Sequence, residues 1–253
     1  MPDILTLINQ KLDGLEIERN VRVLYAVESG SRAWGFASSN SDYDVRFIYV
    51  RPLKEYLRLD HVDDVIEYEL SDVLDINGWD LDKTFRLFYK SNPTLFEWLG
   101  SPIIYKTTEK FENLRGLFSE YYRKKHGLYH YYSMAKRNYL ANFKDDLVKL
   151  KKYFYVIRPL LACKWILEFE TPPPVLFKDL AESVLESELK PAMEDLLARK
   201  AITEESEELT KIALWDHWIQ DGLVAFDRSI PGTEPDNKLS WDKLNEAFWN
   251  IVK

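Results

Sequence analysis

The sequence predicts an α/β N-terminal half followed by an all-α C-terminal half. Three observations carry this. Short apolar runs of strand length, at 21–27, 42–50, 65–70 and 73–81, recur through the first hundred residues with helix-compatible pieces between them. Beyond Pro102 they give way to long amphipathic stretches over 108–170, rich in Lys, Tyr and Leu and without strand-like alternation. A stiff Thr171-Pro172-Pro173-Pro174 break then precedes further helical segments. With 253 residues the chain suits one large or two small domains, and the change of character places the division at 1–107 and 108–253.

Taken in order, residues 3–18 carry apolar side chains at 4, 5, 8, 12 and 15, a helical spacing with Asp3 as N-cap. Val21 to Val27 reads as a buried strand ending in Ser29-Gly30-Ser31, followed by a short helical piece and a polar turn, Ser38-Ser39-Asn40-Ser41. The strand from Asp42 to Val50 is broken at Arg51-Pro52-Leu53, and 52–59 reads as a helical turn. Val65–Leu70 and Val73–Leu81 read as strands. A helix from about Asp82 to Lys90 is interrupted at Asn92-Pro93 and resumes from Thr94 to Leu99. After the proline break, Phe177 to Arg199 reads as one or two helices interrupted near Pro191. A polar helix from Glu204 to Asp221, a Pro/Gly loop around 230–235 and a last amphipathic helix from Trp241 to Val252 complete the chain.

The chemistry concentrates at 27–50. Asp42 and Asp44 lie two apart on a strand, so both carboxylates project from one side. Adjacent carboxylates repel unless a cation lies between them, and the expected occupant is a divalent metal such as Mg²⁺, which takes oxygen ligands and is commonly shared with substrate phosphates. The Gly30-Ser31 turn supplies a complementary half: glycine lets backbone N–H groups approach a phosphate closely.

The pattern Gly-Ser, some ten residues, then Asp-x-Asp with apolar neighbours resembles the nucleotidyltransferase superfamily typified by DNA polymerase beta. The fuller string Gly30-Ser31-Arg32-Ala33-Trp34-Gly35 … Ser41-Asp42-Tyr43-Asp44-Val45-Arg46 resembles nucleotidyltransferases inferred for bacteria and phages, some of them linked to RNA repair. Gly78-Trp79-Asp80-Leu81 … Lys90-Ser91-Asn92-Pro93 … Glu97-Trp98-Leu99 … Ser101-Pro102 resembles the same family, and 151–160 resembles its helical half.

The resemblance implies a small mixed sheet with helices, an α-helical domain packed over it, and an active site in the cleft between. It implies transfer of a nucleoside monophosphate from an NTP to a hydroxyl acceptor with release of pyrophosphate. Asp42 and Asp44 would hold Mg²⁺ or Mn²⁺ against the triphosphate, and Asp75 would bind the acceptor-activating metal, with a role as base besides. For this third carboxylate Asp75 competes with Asp80. The two are five apart and face opposite ways on a continuous strand, and Asp80 also suits a helix N-cap; Asp75 is the choice. Gly30 and Ser31 would hold the β- and γ-phosphates, with Arg32 and Lys152 or Arg158 neutralising the pyrophosphate. Lys151, Tyr155 and Arg158 fall on one helical stripe, which suits a triphosphate and a stacked base and equally an exposed amphipathic face.

Composition bounds the rest. No apolar run reaches the roughly 18 residues that span a bilayer and the first residues are no signal peptide, so a soluble, cytoplasmic chain without membrane attachment is expected. The single cysteine, Cys163, rules out an intramolecular disulfide and suits a reducing cytosol. The net charge of −8 argues against a surface that grips nucleic acid throughout. Yet Arg115 to Lys164 holds twelve Lys or Arg against three acids, among them Arg123, Lys124, Lys125, Lys136 and Arg137, interleaved with Tyr121, Tyr122, Tyr129, Tyr131 and Tyr132. The acceptor stays open between an RNA end, tRNA, a protein hydroxyl and a small molecule. Two other functions remain: a nucleotide-binding regulator, and an antitoxin-like nucleotidyltransferase that modifies or masks a partner protein.

Overall fold

A computed structural model describes residues 3–38, 41–71, 73–202, 207–233 and 239–253. Its contacts divide the chain into two compact units, Met1–Ala33 with Ser41–Tyr122 and Lys238–Lys253, and Trp34–Asn40 with Arg123–Asn237.

The first unit opens with α1 (Ile4–Arg19), capped by Asp3, whose carboxylate accepts the Thr6 N–H at 2.8 Å. There follow β1 (Arg22–Glu28), α2 (Gly30–Ala33), β2 (Tyr43–Val50), α3 (Leu53–Tyr56), β3 (Val65–Leu70), β4 (Leu74–Asp80), α4 (Leu81–Tyr89), α5 (Pro93–Leu99), β5 (Ile104–Thr107), α6 (Glu109–Glu112) and α7 (Arg115–Glu120). The five strands form one mixed sheet in the order β3-β4-β2-β1-β5, in which β2 and β4 run parallel and the other pairs antiparallel. Each face of the sheet buries its own core. Val23, Ala26, Val45, Phe47, Tyr49 and Ile76 pack with Ile8, Leu12 and Leu15 of α1. Leu24, Val27, Ile48 and Val50 pack with Leu81, Phe85 and Phe88 of α4 and with Leu95 and Trp98 of α5. Gly78 lets β4 lie against Phe47, since a Cβ there would stand 2.2 Å from the Phe47 ring.

The second unit is built on α8 (Lys124–Asn142) and α9 (Leu150–Phe169), joined by α10 (Phe177–Val184), α11 (Lys190–Ile202) and α12 (Ala213–Ser229). It also holds a two-stranded antiparallel sheet of β6 (Leu147–Lys149) and β7 (Glu208–Thr210). The last helix, α13 (Asp242–Val252), returns to the first unit. Among the described residues no helix is long and apolar enough to cross a membrane.

Several expectations change. The division at 107 differs from the observed one because Phe111, Leu114 and Tyr121, with Leu244, Ala247, Ile251 and Val252 of α13, complete the core on the α4 face. Residues 34–40 leave the first unit because Phe36 packs on Phe154 and Phe177, with centroid separations of 4.9 and 5.5 Å. Strands β5, β6 and β7, of four, three and three residues, are too short for periodicity to reveal and exist through their partners. The polar helix expected from Glu204 starts at Ala213, β7 taking 208–210 while 203–206 lie outside the described residues. Asn40 and Ser39 of the expected turn lie outside them too. The interruption expected near Pro191 falls just before it, between α10 and α11, and Pro191 itself sits in the first turn of α11, where its missing N–H costs nothing.

Candidate active site

Strand β1 ends at Glu28, and two residues on Gly30 adopts φ +60°, the left-handed region open to glycine. The reason is on the next strand. A Cβ on Gly30 would lie 2.1 Å from Asp44 Oδ2, so the turn closes directly over the Asp44 carboxylate. The backbone holds the same junction: Ser29 N–H donates to the Asp44 carbonyl at 2.8 Å. Ser31 is half-buried in α2.

Asp44 stands in register with Asp75 across the parallel β2–β4 pair. In-register neighbours share a face, and Arg46, two residues after Asp44, shares it too. Arg46 Nη2 donates to Asp44 Oδ1 at 2.8 Å and to Asp75 Oδ2 at 2.7 Å. Its Nη1 donates to the carbonyls of Val45 at 3.1 Å and Asp75 at 3.2 Å. The cation between Asp44 and Asp75 is a guanidinium. Burial pushes the Asp44 carboxyl above its usual range; Arg46 opposes this, and the neighbouring Asp42 and Asp75 carboxylates reinforce it. Asp42 is exposed, one residue before β2 begins.

Asp80 lies at the other end of β4, in register with Tyr49 on the opposite face from Asp44 and Asp75. It caps α4 by accepting the Asp82 N–H at 2.8 Å, and its other oxygen takes Arg51 Nε at 3.1 Å and the Tyr56 hydroxyl at 3.2 Å. Burial raises its pKa to about 6, against the backbone hydrogen bond and Arg51. Its buried position is a helix cap, remote in register from the acids of β2.

Two residues escaped the sequence reading. Arg46 was legible by strand parity, being on the Asp44 face, but not its second partner on β4. Glu28 is 1% exposed. Its Oε1 accepts the Asp44 N–H at 2.7 Å, and its Oε2 accepts the Tyr105 hydroxyl of β5. Burial holds its carboxyl above the usual range; the Tyr105 and Asp44 hydrogen bonds oppose this, and the Asp44 charge adds to it. An acid closing an apolar strand gave no signal, because its partners come from two other strands.

Arg32 turns back onto its own loop. Its Nη2 donates to the Ser41 carbonyl at 2.6 Å and its Nε to the Asp42 carbonyl at 3.0 Å, and the guanidinium covers the Tyr43 ring at 3.6 Å. It thereby fixes the segment carrying Asp42. Lys152 and Arg158 belong to the second unit. Arg158 is buried, its guanidinium 4.6 Å from the Trp34 ring, and Lys152 Nζ lies 5.2 Å from the Tyr155 ring. Burial, with Lys151 and Lys149 adding, lowers the Lys152 pKa. The expected stripe is therefore split: Lys151 and Tyr155 are partly exposed and Arg158 is interior.

In the basic segment, Lys124 pairs with Glu170 at 2.6 Å, Lys125 donates to the Thr233 carbonyl at 2.8 Å, and Lys136 contacts Asp227 at 3.3 Å. Tyr121, Tyr131 and Tyr132 are core residues and Tyr129 is exposed.

Among the described residues no set of three or more His, Cys, Asp or Glu is arranged to hold a metal ion. The donors nevertheless suit a hard cation. One nitrogen within 2.8 Å of both Asp44 and Asp75 marks a point on which their oxygens converge, and all the donors are carboxylates.

The sequence profile of the RNA repair pathway DNA polymerase beta family matches residues 4–250. The uncharacterized protein YcgL of Bacillus subtilis (strain 168) is 44% identical over 248 residues, covering 97% of this chain and 95% of that protein. Among solved structures, a nucleotidyltransferase-like protein from Exiguobacterium sibiricum 255-15 is 12% identical, covering 89% of this chain and 75% of its own, with a TM-score of 0.34. A profile that spans the sheet, the acids and the helical segments alike, together with a relative matched almost from end to end, assigns the chain to the RNA repair pathway DNA polymerase beta family.

Proposed function

We propose that the chain transfers a nucleoside monophosphate from an NTP to an acceptor hydroxyl and releases pyrophosphate. The observation that carries this is the seat of Asp44: its carboxylate lies under the Gly30 turn on one side and in register with Asp75 on the other. A phosphate-binding turn and a pair of acids are thereby joined at one strand end. A divalent ion held by Asp44 and Asp75, whose oxygens converge on one point, would neutralise charge on the triphosphate and lower the pKa of the acceptor hydroxyl. The chain's own groups do the rest. Gly30 keeps the turn free of a side chain, so that the backbone and the Ser31 hydroxyl meet the β- and γ-phosphates. Glu28 and Tyr105 hold the Asp44 backbone from beneath, and Arg32 fixes the Asp42 segment. Asp75 would take the acceptor proton. Within the second unit, Lys152 is partly exposed beside Tyr155, and Arg158 is interior against Trp34. The family's RNA repair description favours an RNA end as acceptor.

The test is incubation of the purified chain with labelled NTPs, Mg²⁺ or Mn²⁺ and short RNAs with defined ends. Label on RNA supports the reading in full; label on a protein or a small molecule in added cell extract keeps the reaction and changes the acceptor. No transfer to any species under either metal refutes it.

A further inference from the structure

Arg46 has no part in the reaction described above, yet it occupies the centre of the acid cluster. Its side chain is 18% exposed, and one nitrogen bonds Asp44 and Asp75 at 2.8 and 2.7 Å. That nitrogen stands where both carboxylates would converge on a hard cation, whose oxygen contacts are shorter still, about 2.0–2.1 Å for Mg²⁺. A guanidinium and an ion cannot share the position. We propose that Arg46 is the resident counter-cation of the cluster, and that a divalent ion enters by displacing its guanidinium from Asp44 and Asp75.

The proposal deepens the nucleotidyltransferase reading and rests on it, since it needs the acids to be metal ligands. Its logic is electrostatic. Without a cation, two half-buried carboxylates in register on adjacent strands repel, and the strand pair that positions them is strained. Arg46 removes that repulsion in the ion-free protein, and its backbone contacts to Val45 and Asp75 hold it in place. The arrangement then has two consequences of opposite sign. Arg46 stabilises the ion-free fold, and it weakens metal affinity by the fraction of molecules in which it covers the acids. A residue that served only the fold would show the first effect without the second.

Mn²⁺ binding without nucleotide, followed by the electron paramagnetic resonance signal of the free ion, separates them. Arg46→Gln keeps much of the length and loses the charge. It should bind Mn²⁺ at least about tenfold more tightly than the unchanged chain, since charge-assisted hydrogen bonds no longer oppose entry. Its thermal midpoint without metal should fall, and Mg²⁺ should raise that midpoint more than in the unchanged chain. Arg46→Lys guards against a variant that fails to fold. It keeps the charge, but its ammonium lacks the planar fork, so its affinity should fall between the two. Equal or weaker Mn²⁺ affinity in both variants, with binding still abolished by Asp44→Asn, overturns the displacement and leaves the metal-ligand reading standing. Failure of every chain to bind Mn²⁺ overturns both.

Discussion

Asp44 shows how much a single residue is asked to reconcile. It touches the Gly30 turn, shares Arg46 with Asp75, and hangs by its backbone from the buried Glu28. Asp44→Asn preserves shape and packing, so transfer should be lost while the thermal midpoint stays within a few degrees; near-normal turnover in this variant would remove Asp44 from the chemistry. Asp75→Ala should likewise abolish transfer, Arg46 keeping Asp44 as a partner. Gly30→Ala acts differently. It forces an alanine to φ +60° and drives a methyl to 2.1 Å from Asp44 Oδ2. We expect a loss of about 2–3 kcal/mol in urea denaturation. Transfer should fall further than the unfolded fraction explains, because the carboxylate itself is displaced.

At the scale of an element, α4 depends on a buried acid at its N-terminus. The sequence offered Asp80 as a cap or as a third carboxylate, and the cap geometry is plain: one oxygen on the Asp82 N–H, the other on Arg51 and Tyr56. Asp80→Ala should therefore cost about 2–4 kcal/mol, more than an exposed cap, since it also strands Arg51. The pH dependence has a definite sign. With its folded pKa raised from the usual 3.8 to about 6, Asp80 contributes stability that is complete below about pH 4 and lost as pH rises through 6. Asp80→Asn keeps a neutral side chain at every pH. Its cost should shrink between about pH 4 and pH 7.5 by up to about 3 kcal/mol, from a two-unit shift at about 1.4 kcal/mol each. Urea titrations at the two pH values read this directly, and a cost that grows with pH would mean that Arg51 outweighs burial.

At the scale of the molecule, the charge asymmetry reads differently once side chains are in place. Lys124, Lys125 and Lys136 are engaged within the second unit, two by carboxylates and one by a carbonyl. Replacing these three by Gln should leave the slope of log K against log salt for a short single-stranded RNA changed by less than about 0.7, the share of one phosphate contact on a single strand. A loss near three times that value would show that they leave their partners to bind RNA. Arg137, exposed on α8, is the better candidate for such contact.

Local sequence rules suffice for the extents of strands β1 to β4 and for where Pro52 and Pro93 bound them and their helices. These follow from local rules of period, proline chemistry and strand parity. The sequence also separated Asp75 from Asp80 by parity, since five residues along one strand reverse the face. What the strand faces meet depends on how distant segments pair. That Asp75 stands opposite Asp44 is a matter of β2–β4 register, which neither strand carries alone. That the cation between them is Arg46, that Glu28, itself held by Tyr105, supports Asp44, and that α13 closes the core of the first unit rest on contacts between distant segments, 77 residues apart for Glu28 and Tyr105 and 192 (248 − 56) for Tyr56 and Phe248. No periodicity marks them, because each is set by where the sheet brings two distant segments together.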